Sequence, residues 1–197
     1  MARKQADNYE NKQRSILTSA AAVIAEAGME NASMSQIAVR GNVSKALLYH
    51  YYPSKAALIF DIVHSHLTEL DESLEACDQP DAPPEERLGL LILEVLNNYE
   101  HSDDQHKVQL HCVGTLSSEQ MDTLHAIERS ITRRFSSVIR EINPSLEKDR
   151  AYLMPTTMSL FGILNWMYLW YKDGGAINRT EYARLVTNLM LKGMNGI

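Results

Sequence analysis

Between residues 33 and 55 the sequence gathers small hydroxyls, an amide and cations at close spacing: Ser33, Ser35, Gln36, Ser44, Lys45, Tyr49, His50 and Lys55. They form no acid, base and nucleophile set. Groups of this kind donate hydrogen bonds to phosphate oxygens. On a helix entering a major groove, Lys45 can also donate to guanine, Ala46 can touch a thymine methyl, and Tyr49 can reach base edges. Ser44, His50 and Lys55 would face phosphates, Lys55 at a helix start where free backbone N–H groups attract the same anion. A plainer use stands beside this one, since Ser33, Ser35 and Ser44 can also serve as helix caps. Tyr51 and Tyr52 read as packing residues, because aromatic rings bury large areas. The rest of the chain holds no metal-spaced His/Cys cluster, no glycine-rich phosphate loop and no G-x-S-x-G elbow, which predicts a non-enzyme without a cofactor. Cys77 and Cys112 stand far apart and read as reduced, buried thiols.

Residues with this task must be carried on short helices. Ile16, Leu17, Ala20, Ala21, Ile24 and Ala25 recur at helical spacing, and Gly28 follows as a helix-ending glycine. Ser35 is expected to cap a second helix that turns Ile37 and Ala38 inward and stops near Gly41. Gly41 and Asn42 both tolerate the left-handed conformation of a tight reversal, after which Ser44 caps a helix from Lys45 to about His50. Two short helices joined by such a turn are a helix-turn-helix. Pro53 and Ser54 open a longer helix, Lys55 to about Ala76, which sets a boundary between a domain over 1–54 and a second over 55–197.

No sustained period-two alternation occurs, so the remainder reads as helices too. They are expected over 85–100, after Asp103, from Ser117 to Ile142, over 146–172 and over 180–192, for an all-α chain of nine helices. Residues 1–55 hold seven Lys and Arg against four Asp and Glu, net +3, within a chain of net charge −6. A basic head on an acidic body suits a head that meets phosphate. The apolar stretch from Leu153 to Tyr171 is interrupted by Pro155, Thr156, Thr157, Ser159, Gly162 and Asn165, a poor membrane span. With no secretory signal at its start, the chain is expected in the cytoplasm.

The stretch Ile16 to Val63 resembles the DNA-binding domain of the TetR family of bacterial regulators. The resemblance lies chiefly in Val43-Ser44-Lys45-Ala46-Leu47-Leu48-Tyr49-His50-Tyr51-Tyr52-Pro53-Ser54-Lys55-Ala56-Ala57-Leu58, with Ala27-Gly28 and Ser35-Gln36-Ile37-Ala38 upstream. Arg40-Gly41-Asn42 departs from the small residues and glycine more usual there. The resemblance implies a three-helix DNA-binding head on a helical ligand-binding and dimerisation domain. It also implies binding of operator DNA, a homodimer through the last two helices, and release by a small-molecule effector. The family's members that govern fatty, aromatic or steroid acid catabolism look nearest, which points to a hydrophobic or coenzyme A thioester effector. A cavity would be lined by residues mixing apolar bulk with isolated polar atoms: Tyr99, His106, Leu110, His111, Ile131, Phe135, Met158, Phe161, Asn165 and Trp166. Arg129, Arg133, Arg134 and Arg140 either meet phosphates of such a ligand or form a solvated face. Control by a protein partner, or activation instead of repression, is the competing reading.

Overall fold

The computed structural model describes residues 2–100, 102–148, 150–194 and 196, and among these it contains helices and no strand. In order they are α1 (Ala2–Ala27), α2 (Met34–Arg40), α3 (Lys45–Tyr51), α4 (Lys55–Cys77), α5 (Pro84–Tyr99), α6 (Asp103–His111), α7 (Ser118–Ile142), the single turn α8 (Ser145–Lys148), α9 (Arg150–Asn165) and α10 (Arg179–Met194). Nine of these have seven residues or more. The chain divides into two compact units, Met1–Thr68 with Ser102–His125 and Glu69–His101 with Ala126–Ile197, and α4 and α7 each continue from one into the other.

In the first unit, α1 packs against α2 and α6. Its buried residues Ile16, Ala20, Ala21 and Ile24 follow the expected helical spacing, and they join Ile37, Ala38, Leu48, Leu58, Ile59 and Ile62 in one core. The cap of α2 is Ser33 rather than Ser35. Ser33 Oγ accepts from the Gln36 amide while Gln36 Oε1 accepts from the Ser33 amide at 2.8 Å, a reciprocal box that Ser35 has no partner residue to build. Ser117 and Gln120 repeat the arrangement ahead of α7.

The reversal between α2 and α3 assigns different tasks to its two residues. Gly41 has an ordinary φ of −78°, and its small size is what matters, since a Cβ there would meet the Ile37 carbonyl at 3.2 Å. Asn42, at φ 48°, is the one non-glycine residue in the left-handed region among the described residues. Asn42→Val is expected to lower stability by about 1–2 kcal/mol, the left-handed penalty of a β-branched residue, while Asn42→Gly should not. Denaturant midpoints of the two variants, compared with the parent, measure this.

In the second unit α5 turns Leu88, Leu91, Ile92, Val95 and Leu96 inward, packing on α9 and α10. The helix expected over 146–172 is instead α8, α9 and a 3-10 turn over Met167–Leu169, and position 149 lies outside the described residues. Asn143 organises the start of this stretch, accepting from the Ser145 amide at 3.1 Å and donating to the Met194 carbonyl at 2.8 Å. Pro155 sits inside α9 and lacks a backbone donor. α9 is also not apolar all round in its surroundings. Thr157, Leu160, Phe161 and Leu164 are buried, while Tyr152, Met154 and Met158 are exposed. No helix among the described residues is long and apolar enough to cross a membrane.

Candidate nucleic-acid interface and effector region

Leu48, fully buried, roots α3 in the first unit's core, and Ser44 caps the helix by accepting from the Leu47 amide at 3.0 Å. Lys45, Ala46, Tyr49 and His50 remain exposed, as do Ser35 and Gln36 on α2. The orientation of α3 is set by a polar clip that the residue pattern alone did not reveal. Tyr52, buried as expected, donates its hydroxyl to Asp61 Oδ2 at 2.5 Å, and Gln13 Nε2 donates to the same oxygen at 3.0 Å. Burial, and then the hydrogen bond to Asp61, hold the Tyr52 hydroxyl well above its ordinary pKa, so it stays a donor. One carboxylate thus ties α1, the end of α3 and α4 together. Tyr51 is half-buried and stacks on Tyr9.

Lys55 has a different place from the one expected. Its Nζ donates to the carbonyls of Met29 at 2.6 Å and Ala32 at 3.0 Å, with Glu30 at 3.4 Å. An ammonium has three hydrogens, and three backbone acceptors engage them. Lys55 fastens the loop after α1 to the start of α4 and leaves the phosphate-facing set. Arg40, in the departing turn sequence, pairs with Glu26 through two hydrogen bonds at 3.0 and 3.1 Å, both side chains being exposed.

The ten residues expected to line a cavity separate into three groups. Tyr99, Ile131, Phe135 and Phe161 are buried in the second unit, and Tyr99 donates its hydroxyl to Asn165 Oδ1 at 2.9 Å. Burial raises the Tyr99 pKa, and Phe135 and Phe161 meet edge-to-face at 5.1 Å. The isolated amide in an apolar helix therefore has a tyrosine for a partner, which no local sequence pattern pairs with it. Met158 and Trp166 are instead half exposed, in company with Met154, Leu169, Trp170, Leu185 and Leu189. His106, Leu110 and His111 belong to the first unit: His106 is buried beside His66, Leu110 is half-buried, and His111 is exposed with Nδ1 2.8 Å from the Lys107 carbonyl.

Of the four arginines on α7, Arg134 faces Asp71 at 3.7 Å and Asp78 at 3.9 Å. Asp78 also receives two hydrogen bonds from Arg87, whose third guanidinium nitrogen donates to Glu141 at 2.7 Å. That network joins the end of α4 to α5 and α7. Two open clefts in the second unit, of about 600 and 500 Å³, flank α10. Arg179, Asn178 and Tyr171 line the first, and Leu90, Leu93 and Thr187 line the second. Neither contains a residue of the expected lining. No group of three or more metal-ligating side chains occurs among the described residues.

Residues 16–62 match the family profile described as bacterial regulatory proteins, tetR family, and residues 81–194 match that described as tetracyclin repressor-like, C-terminal domain. The crystal structure of a TetR-family transcriptional regulator from Bordetella parapertussis 12822 superposes with a TM-score of 0.88 at 30% identity, covering 96% of this chain and 98% of that one. A structure of AibR in complex with isovaleryl coenzyme A and operator DNA shares the fold, with TM-score 0.76 and 23% identity over 90% of this chain and 97% of that one. The HTH-type transcriptional regulator BetI of Rhizobium meliloti (strain 1021) is 33% identical over 81 residues, which are 41% of this chain and 40% of that relative's length.

Proposed function

Because the chain belongs to the TetR family of bacterial regulatory proteins, which are transcription regulators and not enzymes, we propose that it represses by binding a palindromic operator as a homodimer and lets go when a small effector binds. The observation that carries this reading is α3. It is capped by Ser44 and anchored by Leu48 and the Tyr52–Asp61–Gln13 clip, and it offers Lys45, Ala46 and Tyr49 outward for base edges. Ser33, Ser35, Gln36, Ser44 and His50 would meet the flanking phosphates, Ser33 and Gln36 also bonding to each other.

Leu185 and Leu189 on α10, with Met154 and Met158 on α9, form apolar faces on the last two long helices, the kind of surface a second copy would cover. The effector region centres on Tyr99, Ile131, Phe135, Phe161 and Asn165, where one hydroxyl and one amide sit among apolar groups. An acyl-coenzyme A is the effector class favoured, on the likeness to AibR. Ligand between these residues would displace α7 and α9, and α4, continuous into the head, would carry that displacement to α3.

Selection of bound sequences from random duplex DNA tests the reading, with Tyr49→Ala as control. The expected result is a palindrome for the parent protein and a loss of affinity of about tenfold or more in the variant, the worth of one good base contact. Release of the selected operator by an acyl-coenzyme A panel then tests the effector. Unchanged affinity across the panel would favour control by a protein partner.

A further inference from the structure

Helix α1 begins at Ala2, whereas the match to the family's DNA-binding profile begins at residue 16. The helix therefore extends over residues 2–15, roughly 20 Å at 1.5 Å per residue, ahead of the residues that the profile matches. This stretch carries Arg3, Lys4, Lys12 and Arg14 against Asp7 and Glu10. Asn11 and Arg14 are exposed, and Lys12 is half-buried. The ring of Tyr9 stacks on that of Tyr51 with centroids 4.7 Å apart and planes at 25°, and Gln13 Nε2 donates to Asp61 at 3.0 Å. Tyr51 is the last residue of α3, and exposed His50 stands edge-on to it at 5.9 Å. Lys12 follows Tyr9 by three residues, on the same side of the helix. The stack thus sets a basic helical stretch beside the end of the helix proposed to enter the groove.

We infer that residues 2–15 form a second DNA contact, an arm whose cations neutralise backbone phosphates flanking each half-site. The occupant is the sugar-phosphate backbone of the duplex, chosen by opposite charge and by continuity with α3. The arm acts within the operator-binding reading above and adds affinity without base preference.

The test is a full-length chain with Arg3→Gln, Lys4→Gln, Lys12→Gln and Arg14→Gln together, changes that keep good helix formers in place. It is titrated against the operator selected by the parent protein over a range of salt concentrations, beside Tyr9→Ala, which keeps the charges and removes the stack. The expected result is unaltered base preference and weaker binding by both variants. In the quadruple variant the salt slope should also be shallower by about 0.9 for each phosphate no longer neutralised, or about 2–4 per dimer at one or two phosphates per head. Unchanged thermal melting keeps a folding defect out of the comparison. A quadruple variant with the parent's slope overturns the arm while leaving operator binding intact. Absence of sequence-specific binding by the parent overturns operator binding and the arm with it.

Discussion

Replacing Arg87 with alanine is expected to lower the stability of the second unit by about 3 kcal/mol, the usual cost of removing one partner from a buried ion pair. Arg87 is 8% exposed. Its Nε and one terminal nitrogen donate to the two oxygens of Asp78 at 2.9 and 3.2 Å, and the other donates to Glu141. Asp78 is as enclosed as its partner, whereas Glu141 is close to half exposed and can return to water. Alanine at position 87 would therefore strand the Asp78 carboxylate, with Arg134 at 3.9 Å the remaining cation paired with it among the described residues. For a chain of this length the loss should appear as a drop in Tm of about 6–12 °C. The Arg87→Met, Asp78→Leu double variant removes both charges and fills the space with apolar atoms, so it should recover most of the loss. Equal destabilisation of the single and double variants would mean that shape, and not the unpaired charge, dominates at this site.

Acid should destabilise the first unit through His66. The imidazole is 4% exposed, and its pKa is lowered to about 4 by burial first and by the neighbouring His106 second. The folded state therefore prefers neutral His66, while the unfolded chain takes up a proton near the ordinary value of about 6.5. Below that value the unfolded state holds more protons, so stability is present above about pH 6.5 and falls as the pH drops toward 4. The loss amounts to about 2 kcal/mol by about pH 5 and about 3 kcal/mol by about pH 4, from the two pKa values by linkage. Denaturant unfolding followed across this range measures it. His66→Gln cannot take up the proton, and its stability should fall less steeply over the same interval. Parallel curves for parent and variant would exclude His66 as the source.

Local pattern made much of the head legible in the sequence. Apolar residues at helical spacing face one core whatever the rest of the chain does, which is why Ile16, Ala20, Ile24, Ile37 and Leu48 are buried where their spacing requires. Helix caps and the left-handed turn are decided within four or five residues, so Ser44 and Asn42 were legible, and the choice between Ser33 and Ser35 turned only on which serine has Gln36 three residues later. The expected cavity lining is divided between the two units and between buried and exposed positions. Hydrophobicity selects residues that leave water but not what they meet. Phe135 and Phe161 went into the unit's core, while Met158 and Trp166 stayed on a face that a lone chain leaves open.

The all-helical class, the helix-turn-helix and the basic charge of the head are legible without coordinates, because each depends on the order of neighbouring residues or on a sum over them. The tertiary structure alone decided the long-range polar pairings. Lys55 was drawn to three carbonyls more than twenty residues upstream, Tyr99 to Asn165, Arg87 to Asp78 and Glu141, and Tyr52 with Gln13 to Asp61. A buried polar group must find a partner or lose heavily in desolvation. Which partner it finds depends on which helices meet, and no local spacing encodes that.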